Sequence, residues 1–140
     1  MKKAIRIIKK SVLGLALALG AYSLGLAGVQ GLAGINSPKI SAQSQLEEQL
    51  LIERERLGMD KNIVINAHIG NKSFTTKTGS NQYELGLGDD ANLSTLRHEL
   101  YHIYDGHCDT GNLTSIKGRL HYLFLEEPQA TIYQTTGLKP

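Results

Sequence analysis

Residues 98 to 102 read HELYH and match the pattern H-E-x-x-H, which is typical of helices that bind a catalytic zinc ion. His98 and His102 are four residues apart, so in a helix both imidazole rings lie on one face and can reach one tetrahedral ion. Glu99 projects about 100° round the helix from His98, where it can hold a water molecule beside that ion. Zinc lowers the pKa of such a water to about 7, and a glutamate can accept its proton. We therefore expect Zn²⁺ as cofactor, His98 and His102 as ligands, and Glu99 as general base.

The helix that carries this motif is the best-defined element of the sequence. Four polar residues can cap its N-terminus, namely Asp89, Asp90, Asn92 and Ser94, and Gly106 is a natural stop. A helical wheel at about 100° per residue places the apolar side chains in one stripe, almost opposite His98 and His102. The members of that stripe are Leu93, Leu96, Leu100, Ile103 and Tyr104. We expect the stripe to pack on a core while the other face presents the histidines.

The neighbouring segments predict a small α+β domain. LEEQLLIERERLGMD has its leucines in rough helical spacing and predicts a helix that ends at Gly58. NIVINAHIG, KSFTTKT and QYELGLG predict three short strands, in a mixed or antiparallel sheet that precedes the HELYH helix. LTSIKGRLHYLFLE has a mixed pattern, which suggests a loop or short strand at His121 and Tyr122. PQATIYQTTG predicts a final helix with Pro128 in its first turn.

The N-terminal segment has the composition of an export signal. Residues 1–43 carry six Lys or Arg and no acid, and an uncharged run extends from Ser11 to Pro38. Small residues offer cleavage sites after Ala27, Ala33 or Ala42, and residues 11–29 are also apolar enough for an uncleaved membrane anchor. We expect a secreted or periplasmic domain, or one anchored in the cytoplasmic membrane and lying outside it.

The rest of the chain forms one domain by this interpretation. Residues 1–42 are the signal peptide or membrane anchor plus a linker, and residues 43–140 are the domain. Because the basic charge is concentrated in this N-terminal segment, the leader, and the remainder is net negative, a nucleic-acid partner is not expected. Cys108 is the only cysteine, so no disulfide can form within the chain.

The motif and its setting resemble the zincin metallopeptidases, and the stretch from about residue 83 to 135 is similar to the small zincin domains of bacterial secreted effectors and toxins. In zincins the strand before the motif helix is an edge that pairs with extended substrate. The resemblance therefore implies a peptide or protein substrate that binds along residues 82–88.

The zincin resemblance also suggests where a third zinc ligand would lie. Gluzincins take it from a glutamate on a later helix, often in E-x-x-A, and Glu127-Pro-Gln-Ala130 has this pattern 25 residues after His102. No aspartate follows Ala130, and Pro128 predicts Glu127 at a helix start, so Glu126 is the reserve. His107 falls one residue short of the metzincin spacing, and Asp105 and Asp109 lack an aspzincin context.

The sequence thus predicts an exported zinc metallopeptidase of gluzincin type, with His98, His102 and Glu127 as zinc ligands. The alternative is a zinc-stabilised binding module or degenerate peptidase without turnover. A donor for the oxyanion is left open among several residues, with His121 and Tyr133 favoured slightly. The candidates are Tyr101, Tyr104, His107, His121, Tyr122 and Tyr133.

Overall fold

The computed structural model describes residues 2–109 and 115–140, with side chains from residue 18, and it has the predicted mixed α+β architecture. An apolar N-terminal helix and a second helix precede three strands, the helix that carries HELYH, and two C-terminal helices. Their bounds are α1 (Lys2–Ile35), α2 (Gln43–Leu57), β1 (Val64–Gly70), β2 (Phe74–Gly79), β3 (Gln82–Gly88), α3 (Leu93–Tyr104), α4 (Ile116–His121) and α5 (Glu127–Thr136). A short 3-10 turn, His107–Asp109, follows α3.

The three strands form one mixed sheet in which β3 is the central strand. β1 pairs with β3 in parallel, and β2 pairs with β3 antiparallel. The prediction that residues 82–88 form a free edge is therefore wrong. Tyr83, Leu85 and Leu87 are buried, and alternating apolar residues give the same pattern in a central strand as in a half-buried edge strand. The two edge strands are β1 and β2.

Residues before the motif helix hold its N-terminus in place. Asn92 caps α3, since its side-chain oxygen accepts a 3.0 Å hydrogen bond from the Thr95 N–H. The Ser37 hydroxyl accepts from the Ser94 N–H at 2.8 Å, and the Pro38 carbonyl accepts from the Leu93 N–H at 2.9 Å. Two free N–H groups of the first turn are thus bonded to the chain that joins α1 to α2, and a third is bonded to the Asn92 cap.

The apolar stripe of α3 packs on the core as predicted, except at its last residue. Leu96, Leu100 and Ile103 are buried, but Tyr104 is 36% exposed. The expectation that Tyr104 is a core residue is wrong because α3 ends there, with Gly106 in the left-handed region at φ +73°. The Tyr104 ring lies instead 4.9 Å below the Lys139 ammonium group.

The C-terminal region is one continuous helical stretch with a wide turn in its middle. Residues Tyr122–Glu126 form a π-helical turn between α4 and α5, and the N–H of Glu127 donates to the Tyr122 carbonyl, five residues back. The predicted loop or strand at His121 and Tyr122 is therefore wrong, and Glu127 lies inside the stretch. Pro128, which has no N–H, directly follows this wide turn.

A buried carboxylate joins three helices beneath the sheet. Glu53 of α2 is 1% exposed and accepts hydrogen bonds from Tyr133 of α5 at 2.7 Å and from Arg97 of α3 at 3.0 Å. Arg56 adds a third contact at 2.9 Å. Because Arg97 and Tyr133 belong to the helices that carry the candidate ligands, this cluster sets the position of α5 against α3.

The helix α1 has one face on the domain and one in solvent. Its half-buried residues recur at helical spacing and are Leu19, Tyr22, Leu26, Gln30, Ala33 and Gly34. The opposite face carries Leu24, Leu32 and Ile35, which are 76%, 68% and 73% exposed. Residues Ala18–Ile35 are long and apolar enough to cross a membrane, with a mean hydropathy of 1.3. Anchoring or cleavage of this segment stays a prediction.

Candidate metal centre

The two histidines of the motif point into one site between α3 and α5. Their Nε2 atoms lie 3.1 Å apart, and the His98 and His102 side chains are 15% and 10% exposed. This proximity follows from the four-residue spacing on α3, which places the rings one helical turn apart on one face.

Glu127 of α5 reaches the same point from the second helix. Glu127 Oε2 lies 3.6 Å from His98 Nε2, and Glu127 Oε1 lies 3.4 Å from His102 Nε2. One ligand atom from each of the three residues lies within 4.8 Å of the others. In a tetrahedral zinc site with bonds of about 2.0–2.2 Å, ligand atoms are about 3.4 Å apart. The 3.1 Å between the two histidine nitrogens is close to such an edge, and Glu127 turns a different oxygen toward each ring, so the group is of the size that holds one ion.

The outer nitrogens of both histidines have their own hydrogen-bond partners. His98 Nδ1 lies 3.0 Å from the Gln134 side-chain oxygen, which can only accept, so this ring carries its proton on Nδ1. His102 Nδ1 lies 3.0 Å from His107 Nδ1, and His107 Nε2 lies 2.7 Å from an Asp105 oxygen. These contacts fix the ring orientations and leave Nε2 of His98 unprotonated for a metal.

The other candidate ligands have different contacts. Glu126 turns away from the group, and its Oε1 lies 2.9 Å from His121 Nδ1. His107 contacts His102 from outside the group, and Asp105 contacts His107 in turn. The side chain of Asp109 lies outside the described ones. Gln134 was not identified as a site residue from the sequence. The only sequence signal for it is its position seven residues after Glu127, which places both residues on the same face of α5.

Glu99 lies beside the histidine pair under the edge strand β2. The Thr75 hydroxyl is 2.7 Å from Glu99 Oε2 and 3.2 Å from the Glu99 backbone oxygen. Burial raises the pKa of Glu99 above its ordinary value, and the hydrogen bond from Thr75 opposes part of that rise. A carboxylate with a raised pKa is a better proton acceptor near neutral pH than an exposed glutamate.

The electrostatics of the group favour a neutral His98 and an ionised Glu127. Burial lowers the pKa of His98, and the neighbouring His102 lowers it further. Burial raises the pKa of Glu127, but hydrogen bonds from His102 and Tyr122 and the charges of both histidines outweigh it and lower this pKa to about 2. Neutral imidazoles and a carboxylate are the protonation states that bind a divalent metal.

A cleft of about 470 Å³ opens over the motif face of α3. Edge strand β2 forms one wall, and the motif with the turn that follows α3 forms the other. The lining residues are Ser73, Phe74, Thr75, Thr76, His98, Glu99, His102, His107, Cys108 and Tyr122. The Phe74 ring packs directly on the backbone of Gly86 in β3, because a Cβ atom at Gly86 would lie only 2.3 Å from that ring.

Among the tyrosines and histidines considered as oxyanion donors, Tyr122 is the one that both lines the cleft and bonds to Glu127. Its ring stacks on His102 at a centroid distance of 6.1 Å. Tyr133, favoured slightly from the sequence, instead donates to the buried Glu53, and His121 pairs with Glu126. The sequence did not single out Tyr122 because the wide π turn that orients it has no clear sequence signal.

Comparisons of the chain with models of known protein families, with curated proteins and with solved structures find no match.

Proposed function

We propose that this protein is a zinc-dependent metallopeptidase of the gluzincin type, exported or membrane-anchored through its N-terminal segment. The observation that carries the proposal is the convergence of Glu127 on His98 and His102, with Oε2 3.6 Å from His98 Nε2 and Oε1 3.4 Å from His102 Nε2. Two imidazoles and one carboxylate form the set found in several zinc peptidases, with a fourth position left for water or substrate.

Each residue of the group has a role in this proposal. A bound zinc ion would supply Lewis acidity that activates a water molecule and polarises the scissile carbonyl. Glu99, held by Thr75, would accept the proton of the water and pass it to the leaving amine. Burial and the hydrogen bond to Glu127 raise the pKa of Tyr122, so its hydroxyl stays protonated. This hydroxyl would turn from Glu127 to donate to the developing oxyanion.

The substrate in this proposal is an extended peptide bound along β2. This strand pairs with β3 on one side only, and no other strand within residues 2–109 and 115–140 pairs with its outer edge. Ser73 to Thr76 line the cleft opposite Glu99. A peptide added to this edge would form main-chain hydrogen bonds with β2 and present its carbonyl groups to the metal centre.

Metal analysis combined with one substitution tests the proposal. The purified full-length chain should contain about one zinc per molecule and should cleave fluorescein-labelled casein or internally quenched peptides. Glu99→Gln should keep the zinc and lose about 10²- to 10⁴-fold in rate. Glu47→Gln, an exposed change on α2, is the matched control and should leave both properties unchanged.

Two results would count against the proposed zinc peptidase. A chain that neither contains zinc nor takes it up on addition contradicts the metal centre. Zinc binding without cleavage in the wild type, with biological activity unaffected by Glu99→Gln, would favour the zinc-stabilised binding module.

A further inference from the structure

The N-terminal helix brings a side chain to the candidate metal centre. The Gln30 amide nitrogen donates to the Thr131 hydroxyl at 3.0 Å and to Glu127 Oε2 at 3.4 Å. Gln30 is separated from Glu127 by 97 residues of sequence, so only the docking of α1 on α5 creates this contact.

A second link joins Gln30 to one of the histidines. The Gln134 amide nitrogen donates to the Gln30 backbone carbonyl at 3.5 Å and to Ser94 Oγ at 2.9 Å. These bonds orient the Gln134 amide so that its oxygen faces His98 Nδ1, 3.0 Å away. Gln30 therefore contacts the carboxylate directly and reaches His98 through Gln134.

The docked position of α1 has support at both ends of this contact. Towards the N-terminus, the Tyr22 ring packs on Phe124 of the π turn at a centroid distance of 5.0 Å. Towards the C-terminus, the Asn92 side-chain nitrogen donates to the Gly34 carbonyl at 3.2 Å. Gln30 thus lies between two anchored points of the helix.

We propose that Gln30 is a positioning residue of the metal centre, supplied by the leader helix, and that zinc affinity depends on α1 being present and docked. This inference rests on the proposed zinc site. The Gln30 side-chain amide holds one oxygen of Glu127, and the Gln30 backbone carbonyl contacts Gln134, whose side chain orients the ring of His98. Loss of such outer contacts to metal ligands costs about 10- to 100-fold in metal affinity.

If Gln30 has this role, zinc affinity indicates whether α1 has been cleaved, docked or inserted into a membrane. Cleavage after Ala33 or Ala42 removes Gln30, whereas cleavage after Ala27 retains it near the new N-terminus. When α1 is docked from Tyr22 onward, the uncharged residues 11–21 extend only about 16 Å, well short of the ~30 Å hydrocarbon core of a bilayer. The docked helix therefore does not span a membrane, and a spanning helix would withdraw Gln30 from the site.

The test is zinc affinity of the full-length chain, measured by competition with a fluorescent chelator. Gln30→Met keeps the size of the side chain and removes its donor, and it should weaken zinc binding about tenfold or more. It should also shift the visible absorption bands of the Co²⁺-substituted chain, which report ligand geometry. Leu24→Ala, on the solvent face of α1, is the matched control and should change neither property.

A second variant separates the role of the side chain from that of the docking. Tyr22→Ala weakens the helix contact without touching the metal group, and it should lower zinc affinity in the same direction. If the wild type binds zinc and Gln30→Met and Tyr22→Ala match it in affinity and Co²⁺ spectrum, the inference is overturned while the proposed function stands. If the wild type binds no zinc, both fall.

Discussion

Thr75 on the edge strand and Glu99 on the motif helix are joined by a 2.7 Å hydrogen bond between the hydroxyl and Oε2. The same hydroxyl lies 3.2 Å from the Glu99 backbone oxygen, so Thr75 fixes both the side chain and the helix turn that carries it. The wall along which we expect substrate to bind is thereby attached directly to the residue that we expect to act as base.

Thr75→Val should remove this hydrogen bond and keep the shape of the side chain. Since the bond favours the ionised carboxylate, its loss should raise the pKa of Glu99 further and move the acidic limb of the rate profile to higher pH. We expect kcat to fall about tenfold, the effect of one hydrogen bond to a charged group. Thr78→Val, on an exposed position of the same strand, is the control. A pH profile identical to that of the wild type would contradict the role of Thr75.

Glu127→Gln and Glu126→Gln should separate two adjacent carboxylates. Glu127 lies 3.4 Å from His102 Nε2, whereas Glu126 is 5% exposed and pairs with His121. Isothermal titration with zinc should show a loss of more than about 100-fold in affinity for Glu127→Gln, since a ligand contributes more than an outer contact. Glu126→Gln should bind zinc as the wild type does. The reverse pattern would assign the third ligand to Glu126.

Glu53→Gln should destabilise the domain, although Glu53 itself makes no contact with the metal group. The substitution leaves Arg97, whose side chain is 17% exposed, beside an uncharged partner. Breaking a buried ion pair in this way costs about 3–5 kcal/mol of unfolding free energy. Urea denaturation measures the loss, and Glu55→Gln, exposed on the same helix, should stay within about 0.5 kcal/mol of the wild type. Equal stability of the two variants would show that the Glu53 cluster is dispensable.

The metal-free chain should lose stability as the pH falls below about 6.5. Burial lowers the pKa of His98 and of His107 from their ordinary 6.5. The unfolded chain therefore binds protons at a pH where the folded chain does not, and the free energy of unfolding falls as the pH drops through that window. The contribution of His98 and His107 to the free energy of unfolding is fully present above about pH 6.5.

Glu99 has the opposite effect on the free energy of unfolding. Because its pKa is raised in the folded chain, the folded chain binds this proton at a higher pH than the unfolded chain does. Urea denaturation of the Glu99→Gln variant between about pH 7.5 and about pH 5.5 therefore isolates the effect of the histidines. His107→Asn in that background should give a shallower dependence. A free energy of unfolding that is constant or rises towards acid would contradict the lowered pKa values.

The local elements of the domain follow from short-range patterns in the sequence. The three strand segments, the α2 pattern that ends at Gly58, and the apolar stripe of α3 lie where their periodicity predicted them. These features depend on residues a few positions apart, through side-chain alternation, helical spacing and caps. The placement of His98 and His102 on one face has the same origin.

The neighbours of each element, in contrast, are set by long-range packing in the folded chain. Whether β3 or β2 forms the open edge depends on strand order, which alternating side chains do not encode. The approach of Glu127 to α3 depends on the π turn and on the Glu53 cluster, and the contact of Gln30 depends on the docking of α1. Such contacts join residues far apart in the chain, and their free energies come from packing and charge pairing in the folded state. A periodic pattern of side chains does not specify which distant residues will meet.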